Sequence, residues 1–158
     1  MSEIAPVAII TDGTWYLLQV KDQQHPWGGC GLWSLFGGKQ EIGETSEEAL
    51  RRELMEEIGM GVNPLISLLP QPDVPTVDKF GNAWTWRPYL MKLNEGSWDL
   101  WRPDTSTEGH PILISTANLK RALEMEGKLL LRGKVKGTVQ ELFMPGIADV
   151  LRQHLGMR

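Results

Sequence analysis

The stretch Thr45 to Gly59, TSEEALRRELMEEIG, constrains the fold more than any other, because it carries its own start, its own stop and two faces of opposite character. Thr45 followed by Glu48 fits a capping box, in which hydroxyl and carboxylate each satisfy a backbone N–H left open in the first turn. Gly59 suits the left-handed position just past the last turn. At about 100° per residue, Leu50, Leu54 and Ile58 share one stripe with Ala49 close by, so this side packs on a core. Glu53, Glu56 and Glu57 occupy the arc beside it.

That arc is costly for a purely structural helix. Glu53 and Glu57 are like charges at i and i+4, and Glu56 and Glu57 stand near the negative end of the macrodipole. A solvated acidic face is the plain alternative, but Arg51 and Arg52 neutralise only part of the cluster. A divalent cation removes the repulsion. Oxygen ligands without accompanying cysteine or histidine point to Mg²⁺ or Mn²⁺ rather than zinc.

The spacing Gly38, Glu44, Arg52-Glu53-Leu54, Glu56-Glu57, Gly59-Met60 fixes nine positions over 23 residues. It resembles the signature of the Nudix hydrolase family (MutT-like) at every one of them. The resemblance implies a mixed β-sheet between helical layers, an α/β/α sandwich, with the acidic arc facing a cleft. It also implies hydrolysis of a diphosphate linkage in a nucleoside diphosphate joined to another moiety, with Glu53, Glu56 and Glu57 holding Mg²⁺ or Mn²⁺. Glu53 doubles as candidate general base, and Arg52 positions a carboxylate, Glu44, through a bidentate salt bridge. A backbone carbonyl of the glycine pair, Gly37, completes the metal shell, and a later loop supplies one more acid, Glu108, with Glu95 as the alternative.

The remaining sequence agrees with a mixed α and β chain, expected as one domain over residues 1–158. Residues 5–11 and 14–20 read as strands around Asp12-Gly13, a hairpin signal. Residues 23–33 carry three glycines and a proline and read as a loop, after which Trp33–Phe36 leads to Gly37-Gly38. Further strands are expected at 65–69, 74–79, 83–93 and 111–114, with Phe80-Gly81-Asn82 turning a hairpin. Trp84 and Trp86 alternate on one face, for sheet packing before base stacking. Residues 94–110 read as a polar loop suited to substrate. Helices are expected at 117–126 and at 138–155, the second broken at Pro145-Gly146. Lys128, Arg132, Lys134 and Lys136 form a modest basic stretch, as a solvated turn before a phosphate site.

A net charge of −4 disfavours polymeric nucleic acid as a partner and leaves a small nucleotide bound through metal. The single cysteine, Cys30, fits a reducing cytosol. With no basic, apolar leader and no segment near the ~20 apolar residues of a span, a cytoplasmic protein without membrane attachment is expected, as monomer or homodimer. The family resemblance favours a nucleoside triphosphate, oxidised bases included, giving monophosphate and pyrophosphate. ADP-ribose or a dinucleoside polyphosphate is the alternative, the former suggested by Pro75, fifteen residues after the signature. Trp27 and Trp98, both in expected loops, are the candidates for contact with the base. Two other functions stand against hydrolysis: a non-catalytic nucleotide-binding module of the same fold, and a scaffold whose acidic helix meets a basic partner.

Overall fold

Residues Glu3–Thr11 form β1, Trp15–Lys21 β2, Trp33–Ser34 β3, Phe36–Gly37 β4, Ser46–Ile58 α1, Leu69–Pro70 β5, Val74–Val77 β6, Ala83–Lys92 β7, Gly109–Ser115 β8, Thr116–Met125 α2 and Ile147–Leu155 α3. The computed structural model describes residues 3–21, 31–59, 67–94, 109–126 and 142–157. All eight strands join one mixed sheet. β1 runs parallel to β7 along its whole length, from Glu3 opposite Trp84 to Thr11 opposite Lys92, and antiparallel to β2. β8 forms the far side of β2, and β5 and β6 pair with β7.

β1 is apolar at successive positions because it is covered on both faces. Val7 and Ile9 join a core with Leu119, Leu123, Ile147, Val150 and Leu151 of α2 and α3. Ala8 and Ile10 face the other way, into a core with Leu50, Leu54 and Ile58 of α1. The expected α/β/α sandwich is thus observed, with α1 on one face of the sheet and α2 and α3 on the other. Full burial of each of these three α1 residues contributes about 2 kcal/mol.

The Asp12-Gly13 hairpin forms as expected, with Ile10 opposite Leu17 and Thr11 opposite Tyr16. Beyond that pairing β1 and β2 part, and residues 33–37 enter between them. β3 pairs with β2, through Ser34 opposite Gln19, and β4 pairs with β1, through Gly37 opposite Val7. The chain then continues along β1, with Gly38 N–H donating to the Pro6 carbonyl at 3.1 Å and Gln40 N–H to that of Ile4 at 3.2 Å. This lacing fixes the glycine pair to the central strand.

The β6–β7 hairpin pairs Val74 with Trp86 and Val77 with Ala83. Trp84 and Trp86 meet edge to face, with ring centroids 5.6 Å apart, in the core beneath the late helices. Sheet packing therefore accounts for both.

The last expected helix differs in part, although its break falls at Pro145-Gly146 as expected. Within 138–155 the described part is not helical before Gly146: Phe143 forms a bridge to Trp33, and the helix starts at Ile147. Pro145 carries no N–H, its carbonyl accepts from Trp86 Nε1 at 2.8 Å, and Gly146 takes φ 80°. These together stop a helix from extending backward. Residues 127–141, including the basic stretch, lie outside the described residues, as do residues 65 and 66 of the expected strand 65–69; of the rest only Leu69 is in a strand, β5, which starts later than expected because Leu69 and Pro70 pair with Leu90 and Tyr89. Among the described residues no helix is long and apolar enough to cross a membrane.

Candidate functional site

α1 is capped as its sequence requires. Thr45 accepts from the Glu48 N–H at 3.1 Å while the Glu48 carboxylate accepts from the Thr45 N–H at 2.8 Å, and Gly59 closes the helix at φ 68°. These caps set the helix phase, and the phase sets the carboxylates.

Glu57 lies closest to the sheet. It is only 3% exposed, and its Oε2 accepts from the Gly37 amide at 3.4 Å. Glu53 is partly buried, with 17% of its side chain exposed, and its carboxylate rests on Gly38. A Cβ built at Gly38 would stand 2.7 Å from Cδ and Oε1 of Glu53, so only glycine leaves this space. Gly37 is constrained by the sheet instead, since at φ 147° its Cβ would meet the Pro6 carbonyl oxygen and lie 2.8 Å from Val7 Cα. Glu56 differs from both, with 60% of its side chain exposed. The acidic arc is therefore graded from buried to solvated.

Arg52 ties the cluster to the preceding loop. Its Nε donates to Glu44 Oε1 at 2.6 Å and its Nη2 to Glu44 Oε2 at 3.1 Å, the bidentate pair that the family resemblance implies. Its Nη1 donates to Glu53 Oε1 at 2.9 Å and lies 3.7 Å from Glu56 Oε1. The Lys39 carbonyl, 3.5 Å from Nη2, and the Glu41 carboxylate, 3.8 Å away, also face this guanidinium. Neither contact is readable from spacing. Hydrogen bonds from Arg52 hold the Glu44 carboxyl below its usual range, and the Glu41 amide adds to the effect. The same bonds raise Arg52 further, so it stays charged throughout.

Among the described residues, no three His, Cys, Asp or Glu side chains close a metal shell by themselves. Mg²⁺ does not need one, because it keeps several waters and is commonly held by one or two carboxylates together with substrate phosphates. The oxygen-only donors Glu53 and Glu57, beside a cradle that a Cβ at Gly38 would fill, fit such an ion. Gly37, Gly38, Glu44, Arg52, Glu53, Glu56 and Glu57 are thus brought together. Trp27, Trp98, Glu95 and Glu108 lie outside the described residues.

The family model of the NUDIX domain matches residues 1–107. An oxidized purine nucleoside triphosphate hydrolase of Danio rerio is 57% identical over 37 residues, 23% of this chain and 24% of that protein. The nucleoside triphosphatase NudI of Enterobacter sp. (strain 638) is 66% identical over 29 residues, 18% of this chain and 21% of that one. The chain thus spans about a quarter of the length of these curated relatives. A NUDIX hydrolase from Nitrosomonas europaea has the same fold at a TM-score of 0.64 and 16% identity, over 100% of this chain and 92% of that one.

Proposed function

The chain belongs to the NUDIX family, and we propose that it hydrolyses a nucleoside triphosphate, oxidised bases included, to monophosphate and pyrophosphate in a reaction dependent on a divalent cation. The observation that carries this reading is the seating of the Glu53 carboxylate on Gly38 beside the Glu57–Gly37 hydrogen bond. An enclosed carboxylate pair pressed onto a glycine backbone suits cation and phosphate chemistry better than it suits a packing helix.

Glu53, Glu56 and Glu57 would hold Mg²⁺ or Mn²⁺, with the Gly37 carbonyl and Glu108 as further ligands. When bound, such an ion neutralises phosphate oxygens and lowers the pKa of water toward neutrality. Glu53 is the candidate acceptor of the proton from the attacking water. Arg52, holding Glu53 Oε1, fixes the direction of that carboxylate, and Glu44 in turn fixes Arg52. Trp27 and Trp98 are the candidates for stacking on the base. A triphosphate is favoured over ADP-ribose or a dinucleoside polyphosphate because both curated relatives above carry triphosphate hydrolysis in their names.

The test is release of pyrophosphate, phosphate and monophosphate from natural and oxidised nucleoside triphosphates, ADP-ribose and a diadenosine polyphosphate, with Mg²⁺, Mn²⁺ or EDTA. EDTA-sensitive formation of monophosphate and pyrophosphate, fastest from a triphosphate, is expected. A folded sample that turns over nothing on the panel sinks the enzyme reading.

A further inference from the structure

A line of polar side chains reaches the acidic cluster from the opposite side of the α1 N-terminus. Arg87, on the face of β7 that carries Tyr89 and Met91 toward α1, is held by Asp73 through Nε at 3.0 Å and Nη2 at 2.9 Å. Its remaining nitrogen, Nη1, donates to Ser46 Oγ at 3.0 Å, and Ser46 is 7% exposed. Ser46 Oγ donates to Gln40 Oε1 at 2.7 Å, and Gln40 Nε2 donates to the Glu44 carbonyl at 2.7 Å. Each bond points the same way, from the guanidinium toward Glu44. Dipoles aligned in this manner polarise one another.

The line joins two segments that the sheet alone leaves unconnected. Residues 38–40 are laced to β1, whereas Glu44 lies in the turn before α1, beyond Gly43 at φ 88°. Gln40 and Ser46 span this turn from both ends, and Arg87 anchors the span to the sheet through Ser46. Position at Glu44 is position at Arg52, and Arg52 holds Glu53.

Resting on the hydrolase reading of the acidic cluster, we infer that Arg87, acting through Ser46 and Gln40, is a positioning residue that sets the register of Glu44 and thereby the orientation of the Glu53 carboxylate. Arg87 touches no reacting atom. Its removal leaves all three glutamates present and lets the loop that orients them drift. Groups one shell out from metal ligands typically carry roughly 10- to 100-fold in affinity or activity. Arg87, further out, is expected to carry the lower end.

Arg87→Met and Ser46→Ala would be compared with Arg152→Met, which removes an arginine of the other helical layer that donates to the Leu123 carbonyl at 2.9 Å. Turnover of the best triphosphate would be measured together with Mn²⁺ affinity of the nucleotide-free protein, by electron paramagnetic resonance, and with urea denaturation. The expected result is about a 10-fold fall in kcat with KM within about twofold, and about a 3-fold or greater weakening of Mn²⁺ binding, for both site variants. Their double variant should be no worse than the poorer single, because they act in one line. Arg152→Met should lose stability alone. Folded Arg87→Met and Ser46→Ala proteins that keep wild-type Mn²⁺ affinity and kcat, or that lose no more than Arg152→Met, overturn the inference. Absence of turnover in the unmodified chain sinks the hydrolase reading by itself, and the Mn²⁺ titration then still decides whether Arg87 orients the carboxylates.

Discussion

The Glu53 carboxylate lies on the backbone of Gly38, so close that a Cβ at that position would stand 2.7 Å from its Cδ. Gly37, one residue earlier, is closed off by backbone, at the Pro6 carbonyl and Val7 Cα. The neighbouring glycines should therefore respond differently to alanine. In Gly38→Ala the tip of Glu53 can swing aside, so stability should fall by less than about 1 kcal/mol while kcat falls about 10- to 100-fold. In Gly37→Ala nothing can yield cheaply, and a loss of roughly 2–3 kcal/mol is expected. Urea denaturation with steady-state kinetics checks both, and a Gly38→Ala enzyme with unchanged kcat contradicts the first.

Charge removal without shape change separates chemistry from folding. Glu53→Gln and Glu57→Gln should each lower kcat by about 100-fold or more. Glu57→Gln should fold at least as stably as the parent, because a carboxylate that is 3% exposed carries a desolvation cost that an amide escapes. Glu56→Gln, at the solvated end of the arc and near the helix C-terminus, should change stability by no more than about 0.5 kcal/mol. Thermal melts alongside rates test the set. Retention of kcat within threefold in both Glu53→Gln and Glu57→Gln would remove the carboxylates from the reaction.

Metal binding to the native state alone should show as stabilisation. With Mg²⁺ at about ten times its dissociation constant, the gain is about 1.4 kcal/mol, reversed by EDTA. Glu53→Gln should abolish most of this increment, whereas Arg152→Met should keep it. A midpoint that ignores Mg²⁺ and Mn²⁺ in the parent protein would count against a cation at this cluster.

His154 gives the fold a pH dependence of its own. Its Nε2 lies 3.0 Å from the hydroxyl of Tyr16, which is 4% exposed, and burial lowers the histidine below its ordinary value of 6.5. The unfolded chain then takes up a proton near pH 6.5 that the folded chain refuses, so stability falls as pH drops from 6.5 toward the depressed value. At the other extreme, burial raises Tyr16 above 10.0, so stability falls as pH rises past that point. Replacing His154 with leucine should flatten the slope between about pH 7 and 5.5, where carboxylates are still ionised. Urea midpoints across that range decide it, and an unchanged slope contradicts the assignment.

Local signals were the most legible in the chain. The capping box at Thr45, the turn at Gly59 and the Asp12-Gly13 hairpin each depend on residues close in sequence, and each is observed, whereas the observed Arg52–Glu44 pair is implied by the family resemblance. What spacing does not carry is partner choice over distance. Nothing in residues 33–36 announces that the segment leaves β2 for β1 at Leu35, because the run holds no glycine or proline to mark the switch. The split between Glu56 and Glu57 also depends on where the sheet meets α1, which helix phase alone leaves open. The break at Pro145-Gly146 and the helix after it are legible, but the helix expected before the break is not formed at 142–144, where Phe143 bridges to Trp33 instead. The bond of Arg87 to Ser46 crosses 41 residues and has no local signal.

The lacing of Gly38 and Gln40 onto β1 also determines how the site moves. Both amides are bonded to a strand that is covered by helices on both faces and paired along its full length with β7. Freeing them requires opening the sheet at its centre, so their hydrogen exchange should run through global unfolding rather than through a private fluctuation. The amide of Glu44, bonded within its own turn to the Glu41 carbonyl at 3.2 Å, should exchange by a local route. Half of the site is thus frozen before any ligand arrives, and the entropy lost on binding falls on the half that Gln40, Ser46 and Arg87 restrain.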